Sequence, residues 1–258
     1  MISILMSCYK SNFEYLKQQI DSIINQTEKD WELLIHPDNE EGEVENGRLM
    51  AFVDGYRDKR IKFDLCGHLG YSKAYNQLLK QAIGEYVCFC DHDDIWEPDK
   101  LEVEKKYLDE HPEVDCVFGW LKWFGEKEKL EAFSITDADI SKQLYFYQPI
   151  KQPTAMFRRE RFGEFDAPFD QAADFWFWAK HKDRHYHLIE KVLVNYRRHA
   201  GEATKDKTAF RLNSAKVIQA GLNKRFPGKY FPIEMCEKLD RYSKKYNESL
   251  KQLIERDL

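Results

Sequence analysis

The sequence predicts an α/β fold: a Rossmann-like, mostly parallel sheet with helices on both faces, followed by C-terminal helices. Over the first 120 residues, short apolar β-rich runs alternate with helical patterns. The runs are almost continuously apolar rather than alternating, as strands covered on both faces must be. With 258 residues, 43% of them hydrophobic and 14% aromatic, the chain can bury one large core or two small ones, which excludes disorder as its main state.

The elements follow in order. Residues 2–9 form the first strand and 13–25 the first helix, where Phe13, Leu16, Ile20, Ile23 and Ile24 recur at helical spacing and Ser11 with Glu14 makes a capping-box pattern. The cycle repeats as strand 31–35, helix 46–56, strand 61–65, helix 72–82, strand 86–90, helix 99–110 and strand 114–118. From about residue 125 the alternation weakens and aromatics cluster, as in Leu144-Tyr145-Phe146-Tyr147 and Phe175-Trp176-Phe177-Trp178. Two more runs, 154–157 and 187–194, read as strands. Residues 206–225 and 232–256 read as helices, the second with Met235, Leu239, Tyr242, Tyr246, Leu250 and Leu253 at steps of three and four. The chain therefore divides into a body, 1–204, with halves at 1–120 and 121–204, and a helical extension, 205–258.

Charge divides at the same boundary. Residues 205–258 hold 13 Lys/Arg against 7 Asp/Glu, a net of +6, which leaves −11 on the first 204 out of an overall −5. An acidic body argues against nucleic acid as a partner, because phosphate contacts need a clustered basic face. It suits a site that concentrates a divalent cation. The longest apolar stretches, 1–9 and 116–121, fall far short of the roughly 18 to 20 residues that span a bilayer. Met1 leads into Ile2-Ser3-Ile4-Leu5 with no basic segment and no small-residue cleavage site, so a cytoplasmic protein is expected. The six cysteines, Cys8, Cys66, Cys88, Cys90, Cys116 and Cys236, show no metal or disulfide spacing and read as reduced core residues.

In parallel α/β sheets ligands bind beyond the carboxyl ends of the strands, which here are Ser7-Cys8-Tyr9, Pro37-Asp38-Asn39, Gly67 to Gly70 and Asp91-His92-Asp93-Asp94. Neither a dinucleotide fingerprint nor a Walker loop is present, and the first glycine, Gly42, is too late for a nucleotidyltransferase's N-terminal phosphate loop. Within Phe89-Cys90-Asp91-His92-Asp93-Asp94-Ile95-Trp96, three carboxylates crowd into four residues after a buried strand. Such crowding is unfavourable unless a cation neutralises it, and a hard ion with oxygen ligands, Mg²⁺ or Mn²⁺, is the natural partner. A solvated acidic turn, with Asp94 or Asp99 capping the next helix, is the other reading.

These segments, taken together, resemble a known family. The opening Ile2-Ser3-Ile4-Leu5-Met6-Ser7-Cys8-Tyr9, the stretch from Gln18 to Thr27, and Trp31-Glu32-Leu33-Leu34-Ile35 are similar to the start of family 2 glycosyltransferases of the GT-A fold. Gly70-Tyr71-Ser72-Lys73-Ala74-Tyr75-Asn76, Gly84-Glu85-Tyr86 and the acidic turn through Leu101 resemble that family's sugar-nucleotide and DXD segments, and the match runs from residue 2 to about 200. The finer texture is similar to bacterial rhamnosyltransferase-like members.

The resemblance implies an inverting, metal-dependent transfer of a sugar from a nucleotide-diphosphate donor, UDP- or dTDP-type, to a hydroxyl of a glycan or lipid-linked acceptor in cell-surface polysaccharide synthesis. On this reading 1–120 is the nucleotide-sugar-binding half and 121–204 the acceptor and catalytic half. Ser7, Tyr9, Asp38, Ser72, Asn76, Asp91, His92 and Asp93 would contact the nucleotide sugar; Asp91, Asp93 and His199 would hold Mn²⁺ or Mg²⁺. His199 closes Tyr196-Arg197-Arg198-His199, similar to the family's Y-R-x-H, and a diphosphate contact or a plain surface histidine are its other readings. Asp174, in the segment from Phe165 to Lys180, matches the catalytic base, against a helix N-terminal carboxylate as the alternative. Trp176 would stack on a sugar, and Thr154, in Pro153-Thr154-Ala155-Met156-Phe157-Arg158-Arg159, would border the acceptor. Two positions depart from the pattern: Pro37 where an aspartate is usual, and Ala173 before Asp174. They motivate the alternative of a non-catalytic sugar-nucleotide or glycan-binding module on the same fold. The basic tail has three readings: peripheral contact with an anionic membrane, packing on the body, or a homodimer contact.

Overall fold

A computed structural model describes residues 1–39, 43–201 and 207–237. The first part of the chain alternates as the sequence predicts: β1 (Ile2–Cys8), α1 (Phe13–Ile24), β2 (Trp31–Pro37), α2 (Glu43–Asp54), β3 (Ile61–Phe63), α3 (Tyr71–Gln81) and β4 (Tyr86–Cys90). Then come β5 (Ile95–Trp96), α4 (Lys100–Glu110), β6 (Cys116–Gly125), β7 (Lys129–Glu131), α5 (Asp137–Gln143), β8 (Ala155–Arg158), α6 (Ala173–Lys180), β9 (Tyr186–Arg198) and α7 (Lys207–Arg225). Residues 233–237 are helical, and the remainder of the helix expected over 232–256, with its membrane-facing reading, lies outside the described residues. Among the described residues, no helix is long and apolar enough to cross a membrane.

The sheet runs β3-β2-β1-β4-β8-β6-β9-β5, with β7 on the side of β6. Strands β1 to β4, β6 and β9 point one way; β5, β7 and β8 oppose them. Every residue of β2 and β4 is buried, which is why these strands carry no polar alternation. The sheet belongs to a compact unit formed by Met1–Asp137, Ile150–Asp166 and Arg184–Ala200. A second unit takes Ala138–Pro149, Ala167–Asp183 and, of the described residues that follow, 201 and 207–237; its core gathers Phe146, Phe175, Ile218, Leu222 and Phe231.

Several expectations need correction. The α1 cap is Asn12, not Ser11: Asn12 Oδ1 accepts from the Glu14 and Tyr15 N–H groups at 2.9 and 3.2 Å. Asp99 precedes α4 without a side-chain capping bond; instead Gln26 Oε1 accepts from the Leu101 N–H, 3.0 Å away. Cys66 is exposed, whereas the other five cysteines are buried. Strand β9 runs four residues further than its apolar stretch, to Arg198, because it stays paired in parallel with the equally extended β6 out to Gly125 and Arg198. At that end Gly125 has φ +92°, and a Cβ there would sit 2.7 Å from the Arg198 carbonyl oxygen.

Candidate active site

The chain leaves β1 outward through β2 and β3, then returns to place β4 on the other flank of β1. The carboxyl ends of β1 and β4 thus lie at a topological switch point, where open α/β sheets form their ligand crevice. Ser7 lies at the end of β1 and Tyr9 just after it, Asp38 follows β2, and the acidic turn 91–94 follows β4.

That turn is fastened from the far side of the sheet. Short strand β5 pairs with β9, Ile95 opposite Asn195, which brings the turn level with Arg197 and His199. Asp94 is fully buried; its Oδ1 accepts from the Arg197 N–H at 2.9 Å and its Oδ2 has no partner. Burial, then the charges of Asp91 and Asp93, push the Asp94 carboxyl well above the usual carboxylate range. The Arg197 guanidinium donates from Nε to the Asp93 carbonyl (2.7 Å) and from Nη2 to Gln18 Oε1 (2.5 Å), and it lies 4.2 Å from the Tyr15 and 4.4 Å from the Phe124 ring centroids. Sequence reasoning assigned Arg197 no role; its signal was the Arg-Arg doublet one step before His199.

Asp93 Oδ2 lies 2.8 Å from His199 Nε2. Among the described residues no three His, Cys, Asp or Glu side chains converge as a metal cage; of Asp91, Asp93 and His199, the structure sets Asp93 beside His199. The residues still fit a divalent ion. Mg²⁺-type sites use one or two protein ligands with substrate phosphates, Asp93 and His199 supply two, and the buried Asp94 Oδ2 beside them is left without a hydrogen-bond partner. His92 keeps an unpartnered buried Nδ1, and burial holds its imidazole below the ordinary histidine value.

At the β2 end, Asp38 is buried and its Oδ1 accepts from the Leu69 and Gly70 N–H groups at 2.6 and 3.2 Å. Burial alone would raise its pKa; His36 and those two donors outweigh it and hold the carboxyl below the usual range. Asn39 Oδ1 accepts from the Lys10 N–H (2.7 Å), and the half-exposed Tyr9 ring faces His68 at 6.1 Å between centroids. Ser72, in the first turn of α3, is buried with an unpartnered hydroxyl.

Two expected contacts are committed elsewhere. Asn76 clamps the backbone of Phe165, donating to its carbonyl at 2.6 Å and accepting from its N–H at 2.7 Å, so its amide is occupied in packing the loop. Thr154 is fully buried and donates to the Lys151 carbonyl at 2.7 Å, which removes it from an acceptor surface.

In the second unit, Asp174 lies half-buried in the first turn of α6, and Gln148 Nε2 donates to its Oδ2 at 2.7 Å. Ala172, just before the helix, has φ +63°, a left-handed conformation that costs a non-glycine residue about 1–2 kcal/mol. Trp176 meets Phe169 edge-on at 5.8 Å and packs against the unit's core.

The sheet order, the switch point and the acidic turn define a GT-A glycosyltransferase. The chain belongs to glycosyl transferase family 2, whose model matches residues 3–185. It is 27% identical over 208 residues to an uncharacterized glycosyltransferase of Methanocaldococcus jannaschii, covering 76% of this chain and 70% of that one. It is 26% identical over 185 residues to the Escherichia coli UDP-Glc:alpha-D-GlcNAc-diphosphoundecaprenol beta-1,3-glucosyltransferase WfgD, covering 69% and 68%. It spans only 25% of the length of a Rickettsia conorii relative to which it is 29% identical over 160 residues. Among solved structures, S. aureus TarS 1-349 in complex with UDP-GlcNAc superposes with a TM-score of 0.65 at 18% identity, covering 93% of this chain and 70% of TarS. The mannosyltransferase PcManGT from Pyrobaculum calidifontis, in complex with GDP-Man and Mn²⁺, gives 0.60 at 18% identity, covering 96% and 71%.

Proposed function

We propose that the protein is an inverting, divalent-metal-dependent glycosyltransferase that moves a sugar from a nucleotide-diphosphate donor to a hydroxyl of a glycan or lipid-linked acceptor. The observation that carries this is the Asp93–His199 pair, set 2.8 Å apart where β4 and β9 end and fixed there by Arg197. The UDP-Glc named for WfgD, the nucleotide sugars held by TarS and PcManGT, and the Mn²⁺ of the latter support the donor class and the metal.

When bound, a divalent ion would neutralise the charge developing on the leaving diphosphate, worth several kcal/mol in the transition state. Asp93 and His199 would hold it. Tyr9 and Asp38, at the β1 and β2 ends, would receive the nucleoside, with Ser7, Ser72 and His92 lining the same edge. Asp174, oriented by Gln148, would take the proton of the acceptor hydroxyl, a role typically worth about 10² to 10⁴ in rate. Trp176 would present an aromatic face to the acceptor sugar. The net +6 of residues 205–258 supports contact with an anionic surface that carries a lipid-linked acceptor.

A thermal-shift screen of UDP, dTDP and GDP sugars with Mn²⁺ finds the donor, because a ligand at 100 times its dissociation constant adds about 2.7 kcal/mol of stability. With that donor, Asp174→Asn should lower transfer by about 10² or more while donor affinity stays within a few-fold. Near-normal transfer by the folded variant would put the base elsewhere. A wild-type protein that binds the donor but neither hydrolyses nor transfers it would favour the binding-module reading.

A further inference from the structure

His36 is a fully buried histidine inside a fully buried, largely apolar strand, and the reaction above makes no use of it. Its Nδ1 is hydrogen-bonded to Asp64 Oδ2, just past β3, at 2.6 Å, and its Nε2, which has no hydrogen-bond partner, faces Asp38 Oδ1, just past β2, at the charge-pair distance of 3.4 Å. An imidazolium can donate toward both carboxylates; a neutral ring donates to one and turns a lone pair on the other. The two carboxylates in turn gather the segment between them. Asp38 takes the Leu69 and Gly70 N–H groups, and its carbonyl lies 2.8 Å from His68 Nδ1. Asp64 accepts from Gln81 Nε2 at 2.7 Å and from Cys66 Sγ at 3.3 Å. Residues 64–70 are therefore tied to the ends of β2 and β3 through two anions that one buried ring joins.

We propose that His36, in its protonated form, is the positioning residue of the donor site: by bridging Asp38 and Asp64 it holds segment 64–70 in the shape that receives the nucleoside end of a nucleotide sugar. The proposal rests on the reading of the Tyr9 and Asp38 edge as the nucleoside side. The titratable groups facing the ring are Asp38 and Asp64, with His68 and Cys66 behind them on the same carboxylates. Burial alone would lower the His36 pKa, but the two carboxylates outweigh it and hold the imidazole above its ordinary value. For a group raised in this way the stabilised arrangement is fully present below the ordinary histidine value and is lost as pH rises through the raised value. Donor affinity should follow it.

The test uses the full chain, Mg²⁺ and the nucleotide sugar that stabilises it most, titrated calorimetrically between about pH 6 and pH 9, on either side of the ordinary histidine range. Wild-type affinity should fall about tenfold along the alkaline limb, within the usual range of coupling between two sites. His36→Gln should bind about tenfold more weakly at neutral pH and show no such limb, so the two curves converge; taking their ratio cancels pH effects of the metal and of the ligand. Asp64→Asn, which leaves His36 one carboxylate, should move the limb to lower pH, and it decides the matter if His36→Gln does not fold. In ¹⁵N-histidine spectra of the ligand-free protein, the His36 ring should titrate above the ordinary histidine value, and lower in Asp64→Asn. A pH-independent ratio, or a limb that Asp64→Asn leaves in place, overturns the proposal. Absence of nucleotide-sugar binding at every pH, with the ring titrating as described, overturns instead the functional reading beneath it.

Discussion

Replacing Arg197 by methionine tests how the acidic turn is held. The change keeps the length and apolar stem of the side chain and leaves the backbone N–H on Asp94, but removes both guanidinium bonds, to the Asp93 carbonyl and to Gln18. Hydrogen bonds from a charged donor contribute about 1.5–3 kcal/mol each, and the stacking on Tyr15 and Phe124 adds roughly 0.5–1 kcal/mol per ring at a partly exposed site. Because the side chain is half-buried and such terms do not add fully, the low end applies: about 3 kcal/mol of folding stability. Urea denaturation should show this as a lower midpoint with an unchanged slope. On the same preparation, metal-dependent donor binding should weaken, since the turn carrying Asp93 has lost its tether. Arg197→Lys, which restores charge without the planar fork, should recover only part of both losses. A loss below about 1 kcal/mol in Arg197→Met, within the range of an ordinary surface contact, would show that pairing of β5 with β9 holds the turn unaided.

Other perturbations address separate parts of the fold. Asp93→Ala should abolish the gain in nucleotide affinity that Mn²⁺ provides, measured calorimetrically with and without EDTA; unchanged affinity would remove Asp93 from the metal site. Lys100 and Glu104 form a fully buried ion pair 2.7 Å apart beneath Trp96. Lys100→Met alone should cost about 3–5 kcal/mol by stranding a buried carboxylate, while Lys100→Met with Glu104→Leu should be nearly neutral, as denaturation midpoints would report. Burial, only partly offset by Lys100, raises the Glu104 pKa to about 7. The folded state then binds a proton that the unfolded state releases near 4.5, so melting temperature should decline as pH rises from there to about 7 and level off above, and Glu104→Gln should flatten that slope.

The parts of the fold that were legible in the sequence are those whose environment imposes a pattern. Strands β1, β2 and β4 announce themselves as almost continuously apolar runs because helices cover both of their faces, and α1 by the spacing of Leu16, Ile20 and Ile23. Strands β5 and β7, two and three residues long, have no room for a period and exist only through pairing with β9 and β6. The same cause hid the end of β9, where Asn195 to Arg198 lie past the apolar run and join the strand only through pairing with β6. The motif positions Asp91, Asp93 and His199 were legible, but their mutual geometry was not, since a register between distant strands brings Asp93 and His199 together. His36 was hidden in an apolar run, and nothing local marks Asp38 and Asp64 as its neighbours.

An acidic body that is to hold a diphosphate must keep its own carboxylates from repelling the ligand and one another. Here basic side chains, Arg197 half-buried and His36 fully buried, attend to them from behind the ligand edge. The Arg197 guanidinium lies under the acidic turn, and the His36 ring lies between Asp38 and Asp64. Neither side chain shares a partner with the other, so the two ends of the edge are supported independently, one beyond β4 and β9, the other beyond β2 and β3. Pro37 stands between them in this economy of charge: where the family pattern places a second aspartate, this chain adds no anion beside Asp38, and His36 has two carboxylates to satisfy rather than three.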